Sequence, residues 1–153
     1  MPGGAGQPSS PSAKPTVWYS YAIVRVVPRV DRGECINAGV ILFARTKRYL
    51  AARVELDPAR LRALAPAADL ALIERHLAIF QAICAGTPDG GPVADLPPAE
   101  RFHWLTAPRS TMIQTSPVHT GCCADPETAL EDLLDAYVRL DLSPSPAPAR
   151  RGE

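Results

Sequence analysis

The sequence predicts an α+β domain, an antiparallel sheet of about five strands with two longer helices packed on one face. Three observations carry that class. Runs rich in Val, Ile and Tyr follow one another over residues 17–28, 35–44 and 49–56, with short polar links between them. Two later stretches, residues 69–84 and 125–140, carry apolar residues at helical spacing behind an Asp able to cap them. Two shorter extended runs, residues 102–107 and 112–116, stand between those helices. Short links between successive strands favour an antiparallel meander.

In chain order, residues 1–16 and 143–153 are dominated by Pro, Gly, Ser and Ala. Such segments bury too little surface to offset chain entropy, so both are expected to be disordered tails around one domain at 17–142. In the first strand, alternation puts Tyr19, Tyr21, Ile23, Arg25 and Val27 on one face and Ala22, Val24 and Val26 on the other. Two apolar faces mark an inner strand. Arg25 is then a charge in mid-strand that needs compensation, expected from the polar groups of 109–120 or from Glu34. The second strand places Asn37, Gly39, Ile41 and Phe43 on one face.

Asp57-Pro58 is an N-cap followed by Pro at the first helical position, and opens a short helix to Leu64. Asp69 opens a longer one to Cys84, with Leu70, Ile73, Leu77, Phe80 and Cys84 as its apolar stripe and Gly86 as its stop. His76 on that helix has no second ligand at a metal-binding spacing and reads as a surface or structural residue. Residues 87–98, rich in Pro and Gly, are expected to form a surface connector. Asp125-Pro126 repeats the cap signal and opens the last helix. Its Leu130, Leu133, Leu134, Tyr137 and Val138 oppose an acidic face of Glu127, Glu131, Asp132 and Asp135.

Composition narrows the function classes. The hydrophobic fraction of 46% is ordinary for a folded domain, and sixteen basic residues cancel sixteen acidic ones. Zero net charge gives no global case for a nucleic-acid or membrane partner. The start of the chain lacks the pattern of a signal peptide, and no apolar run is long enough to span a membrane. Cys35, Cys84, Cys122 and Cys123 make neither a metal-ligand spacing nor a disulfide framework. Reduced thiols in a cytoplasmic protein, with no metal and no cofactor, are the expectation.

The stretch from Trp104 to Gly121, WLTAPRSTMIQTSPVHTG, packs hydroxyls, amides, a guanidinium and an imidazole among large apolar groups, without an acidic residue. That mixture predicts a polar cleft for an anion or a partner segment, lined by Arg25, Asn37, Arg109, Ser110, Gln114, Ser116 and His119. Arg109 offers a planar fork of donors, and hydroxyls complete an oxyanion's shell. A hairpin turn whose Ser and Thr satisfy local backbone groups explains Arg109-Ser110-Thr111 equally well. His119 is the candidate acid-base residue. It lacks the second histidine motif that a two-histidine phosphodiesterase requires, and Cys122 or Cys123 as a nucleophile beside it rests only on sequence proximity. Asp31 and Glu34 stand beside arginines and read as local ion pairs. The leading expectation is a non-catalytic binding or accessory domain. The alternative is a small enzyme acting on a phosphate-containing substrate, with His119 as acid-base group and Arg109 as clamp.

The blocks YSYAIVRVVPRVDRGECINAGVILF (residues 19–43), YLAARVELD (49–57) and RFHWLTAPRSTMIQTSPVHTG (101–121) resemble a bacterial family known as domain of unknown function 3037. The resemblance spans nearly the whole expected domain. Cys35 departs from it, standing where a larger apolar residue such as Phe is expected. The family brings no activity, ligand or catalytic residue. The resemblance also implies a partner protein or a shared pathway, since members are often encoded beside HipA-like kinases: such a kinase or another protein is the expected partner.

Overall fold

The computed structural model describes residues 16–140. The expected disordered tails lie outside the described residues, Thr16 apart. Three strands, β1 (Val17–Val26), β2 (Ile36–Ala44) and β3 (Tyr49–Val54), form the antiparallel meander anticipated from their short links. The other edge of β1 is shared end to end by two short strands. β4 (Ile113–Thr115) pairs with Val24–Val26, and β5 (His119–Cys123) pairs with Val17–Tyr21. Ser116 bridges the gap between them. Its amide donates to the Ile23 carbonyl at 2.8 Å, and its hydroxyl accepts from the Ile23 amide at 2.8 Å.

Four α-helices complete the domain: α1 (Pro58–Leu64), α2 (Leu70–Ala85), α3 (Pro98–Thr106) and α4 (Pro126–Tyr137). Three starts follow the cap signals. The Asp57 carboxylate accepts from the amides of Ala59 and Arg60, Asp69 from Leu72, and Asp125 from Thr128. α2 ends on Gly86, whose φ of 74° is a left-handed conformation that glycine adopts without a Cβ penalty.

The α+β class with a five-stranded antiparallel sheet is what the sequence predicted, but three particulars differ. First, residues 102–107 are the end of helix α3. Pro97-Pro98 starts it, and Phe102 and Leu105, three apart, turn inward while His103 and Trp104 stay exposed. The fifth strand is instead His119–Cys123. Second, residues 88–95 are 3₁₀ turns seated on α2. A Cβ on Gly90 would lie 2.8 Å from the Ile83 amide nitrogen, so only glycine allows that approach.

Third, the two longest helices cover opposite faces. Ala22, Val24, Val26 and Ile41 pack with Leu61 of α1, Ile73, Leu77 and Phe80 of α2, and Phe102 and Leu105 of α3. The alternate residues Val17, Ile23, Val40 and Leu42 pack with Ala129, Leu130 and Leu134 of α4. Strands apolar on both faces need cover on both sides, and one helix layer cannot supply it. Ion pairs hold α4 down: Arg53 pairs with Glu131, and Arg139 reaches Glu55 at 2.6 Å, Glu131 at 2.8 Å and Asp135 at 2.8 Å.

A β-bulge interrupts β2. Val24 faces Gly39 but Arg25 faces Asn37, leaving Ala38 as the extra residue. Strict alternation would have put Asn37 with Ile41 and Phe43, toward the apolar α2 layer. The bulge moves it to the α4 side, beside Arg25. Gly39 permits this, because a Cβ there would sit 2.6 Å from the Arg53 carbonyl oxygen.

Candidate functional site

α4 crosses β2 and its neighbours β1 and β3, leaving β4 and the start of β5 uncovered among the described residues. His119 is exposed along that strip. Its floor is built by cross-strand pairing. Asn37 of β2, Arg25 of β1 and Gln114 of β4 stand side by side in one row. Four residues back along β1, Tyr21 stands opposite His119, about 13 Å from the row at the usual strand rise. Buried Ile23 separates the two ends.

At the first end, Asn37 Nδ2 donates to the Tyr137 carbonyl at 3.0 Å, tying the row to the last turn of α4. Gln114 Nε2 donates to the Thr111 carbonyl at 2.9 Å. Arg25 is half-buried between them, and its Nε is buried without a hydrogen-bond partner among the described residues. The compensation expected from the 109–120 segment or from Glu34 does not reach that nitrogen. Glu34 pairs with Arg32 instead, as the local reading of that turn expected.

At the second end lies an aromatic cluster. The Tyr21 ring is 5.5 Å from that of His119, 6.5 Å from Tyr137 and 5.8 Å from Tyr19. Burial first, and then a hydrogen bond with Tyr137, raise the Tyr21 hydroxyl above its ordinary range, so it remains a neutral donor. Tyr19 also covers Gly121, where a Cβ would come within 2.6 Å of its ring. Sequence reading placed Tyr19 and Tyr21 on the face of Arg25 without assigning them to the site. Tyr137 was missed because its proximity depends on how α4 crosses the sheet.

Of the residues expected to line one cleft, Arg25, Asn37, Gln114 and His119 share this strip. The other three do not join them. Ser116 is buried, donates to the Pro117 carbonyl at 2.9 Å and is spent on the sheet. Arg109 lies beyond the end of α3, its guanidinium 4.5 Å over the Trp104 ring and its Nη2 donating to the Trp104 carbonyl. It therefore belongs to the α2–α3 side, and exposed Ser110 follows it in the same loop. A chain that turns from α3 into β4 between these residues cannot bring both ends of the run to one face.

The same geometry bears on nucleophilic chemistry. His119 and Cys123 lie on the same side of β5, about 13 Å apart along the strand, while Cys122 stands on the opposite side, facing Trp18. Burial, and then Asp125, push the Cys123 thiol up, the reverse of what a nucleophile needs. No group of three or more His, Cys, Asp or Glu side chains among the described residues is placed to hold a metal ion. No single helix among them is long and apolar enough to cross a membrane.

The fold and strip define an α+β domain with a half-covered antiparallel sheet. The chain belongs to the family described as protein of unknown function (DUF3037), which matches residues 21–138 and so takes in every element from within β1 to the end of α4. No curated protein and no solved structure matches the chain.

Proposed function

We propose that this chain is a non-catalytic binding module whose uncovered strip receives an anionic group at Arg25, with the Tyr21, His119 and Tyr137 rings as a flanking contact surface. The observation that carries the reading is the Arg25 guanidinium, half-buried and, its buried Nε included, without a hydrogen-bond or ion-pair partner among the described residues. A half-buried guanidinium without a counter-charge costs stability, and a carboxylate or phosphate bound at its Nη groups would relieve part of that cost. Asn37 and Gln114 already spend an amide donor on the backbone, so they hold the row in place while Arg25 supplies the charge. The proposed carrier of the anion is a partner protein, and the family resemblance makes a HipA-like kinase the first to try.

The test is thermal shift against inorganic phosphate, sulfate, citrate and ATP at constant ionic strength. At least one should stabilise the chain saturably, and Arg25→Gln should weaken that ligand by about 1.5–3 kcal/mol, the range for a hydrogen bond to a charged group. An unchanged response in folded Arg25→Gln overturns the reading. Binding to a co-expressed HipA-like kinase, compared between the parent chain and Arg25→Gln, tests the partner separately.

A further inference from the structure

On the other side of the sheet, a groove of about 430 Å³ opens between α2, α3 and the strand β4. Its floor is core: Phe80, Ile83, Leu105 and Ile113 are all buried. Its rim is unlike its floor. Ile79 and Trp104 are exposed apolar groups, at 47% and 41%. His76 and Arg109 also line the groove, and among the described residues no carboxylate does. The volume falls within the range of small-molecule sites, roughly 300–1,000 Å³.

Arg109 is prepared for a ligand by its neighbours. Its guanidinium sits 4.5 Å over the Trp104 ring, and burial lowers its pKa from the ordinary arginine range. One of its N–H groups goes to the Trp104 carbonyl, and a guanidinium carries five. Met112, half-buried beside it, is a side chain that adapts to irregular apolar shapes.

We infer that this groove binds a small amphipathic carboxylate, its apolar body on Phe80, Ile83 and Trp104 and its carboxylate on Arg109. Charge complementarity selects the occupant. A lining of apolar groups with Arg109 and His76 and without an acid favours an anionic head over a neutral or cationic one. The site is independent of the strip around Arg25, which lies on the opposite face.

The experiment uses Trp104 as its reporter. The chain has two tryptophans, and Trp18, 67% exposed, is replaced in a Trp18→Phe background. Octanoate, octanol and octylammonium are titrated below micelle formation. Octanoate should change the Trp104 emission saturably and bind about ten-fold or more tighter than octanol, the order expected for one charge-assisted contact. Octylammonium should bind more weakly still. Arg109→Gln should bring octanoate down to the level of octanol. Ile79→Glu, at an exposed helix position that tolerates charge, should repel octanoate and favour octylammonium. Equal binding of the three probes, no saturable signal, or octanoate binding unchanged in Arg109→Gln overturns the inference. A failure here leaves the Arg25 reading standing, because Arg25→Gln should not alter octanoate binding.

Discussion

The two faces of the sheet share the strand β1 and use it differently. Toward α1, α2 and α3 it sends Ala22, Val24 and Val26, all completely buried. Toward α4 it sends Val17, Tyr19, Tyr21, Ile23 and Arg25, of which Val17 and Ile23 are buried and the other three half-buried. The first face is closed by three helices and carries the larger apolar cluster. The second is covered by one helix and left open over β4 and the start of β5. An apolar face must be closed for the domain to fold, whereas a half-covered face can hold charged and aromatic groups that burial would penalise. The difference teaches that core and candidate strip are two registers of one strand. Substitutions should therefore separate into those that unfold the chain and those that only change what it binds.

The largest effect is expected on the closed face. Ile41 is fully buried among α2-side residues, and Ile41→Ala should cost about 2–5 kcal/mol in urea denaturation. A cost near zero would mean that this face is loosely packed and the contrast between faces is false. Next is the bulge that links the two. Gly39→Ala forces a Cβ against the Arg53 carbonyl, and overpacking of this kind costs about 1–3 kcal/mol. Amide exchange should rise around Asn37 and Arg25, since the row depends on the bulge. A neutral Gly39→Ala would show that β2 keeps its register without glycine.

These two residues also show what was legible in the sequence. Helix starts at Asp57, Asp69 and Asp125 were readable because capping is local chemistry, fixed by a side chain and the amides two or three positions on. The strands of the meander were readable from β-branched and aromatic content. α3 was not, because RFHWLT has the look of a strand and its helical signal lies upstream in Pro97-Pro98. β5, HTGCC, has little strand propensity and exists through pairing with β1, a contact of long sequence separation. Gly39 inside a strand was the available signal for the bulge, and without it Asn37 was assigned to the wrong face. That Arg25, Asn37, Gln114 and His119 would share a surface could be guessed from their chemistry. That Arg109 would leave them could not, since it depends on α3 ending where it does.

A pH series separates the faces further. Burial pushes the Cys84 thiol on the closed side up to about 12. A raised pKa stabilises the fold fully below the unfolded value, about 8.5 for cysteine, and that contribution is lost as pH rises toward the folded value. Stability should therefore fall from about pH 8.5 upward, and Cys84→Ala should flatten that limb. In native conditions exposed Cys35 and Cys122 should react with iodoacetamide while Cys84 does not. Rapid native labelling of Cys84 would show that the closed face opens. A smaller effect of opposite sense lies on the α4 side, where the hydrogen bond from Arg139 holds the Glu55 carboxyl below its ordinary range. Its stabilisation is present above the unfolded carboxylate value and lost as pH falls through the folded one, so the acid limb begins below about pH 4.3. Both partners are exposed enough for solvent screening, so Glu55→Gln should change stability at neutral pH by less than about 1 kcal/mol.

The smallest stability effect is expected at Arg25, and it is the most informative. If the residue were structural, its removal would leave unpaired partners and cost as much as any buried polar contact. Its Nε has no partner to lose, and Asn37 and Gln114 spend their amide donors on backbone carbonyls without it. Replacing a poorly compensated charge with a neutral side chain of similar reach is therefore expected to leave stability unchanged within about 0.5 kcal/mol or to raise it. Chemical denaturation of Arg25→Gln and Arg25→Met at neutral pH measures this directly. Unchanged or increased stability together with lost anion response means that the charge is retained for binding at the expense of the fold. A loss above about 1 kcal/mol in both variants, comparable to a typical intramolecular hydrogen bond, would mean that Arg25 supports the sheet as the Val24 side does. The open face would then be a second, less tidy piece of core, and the binding role would have to move to the Arg109 groove.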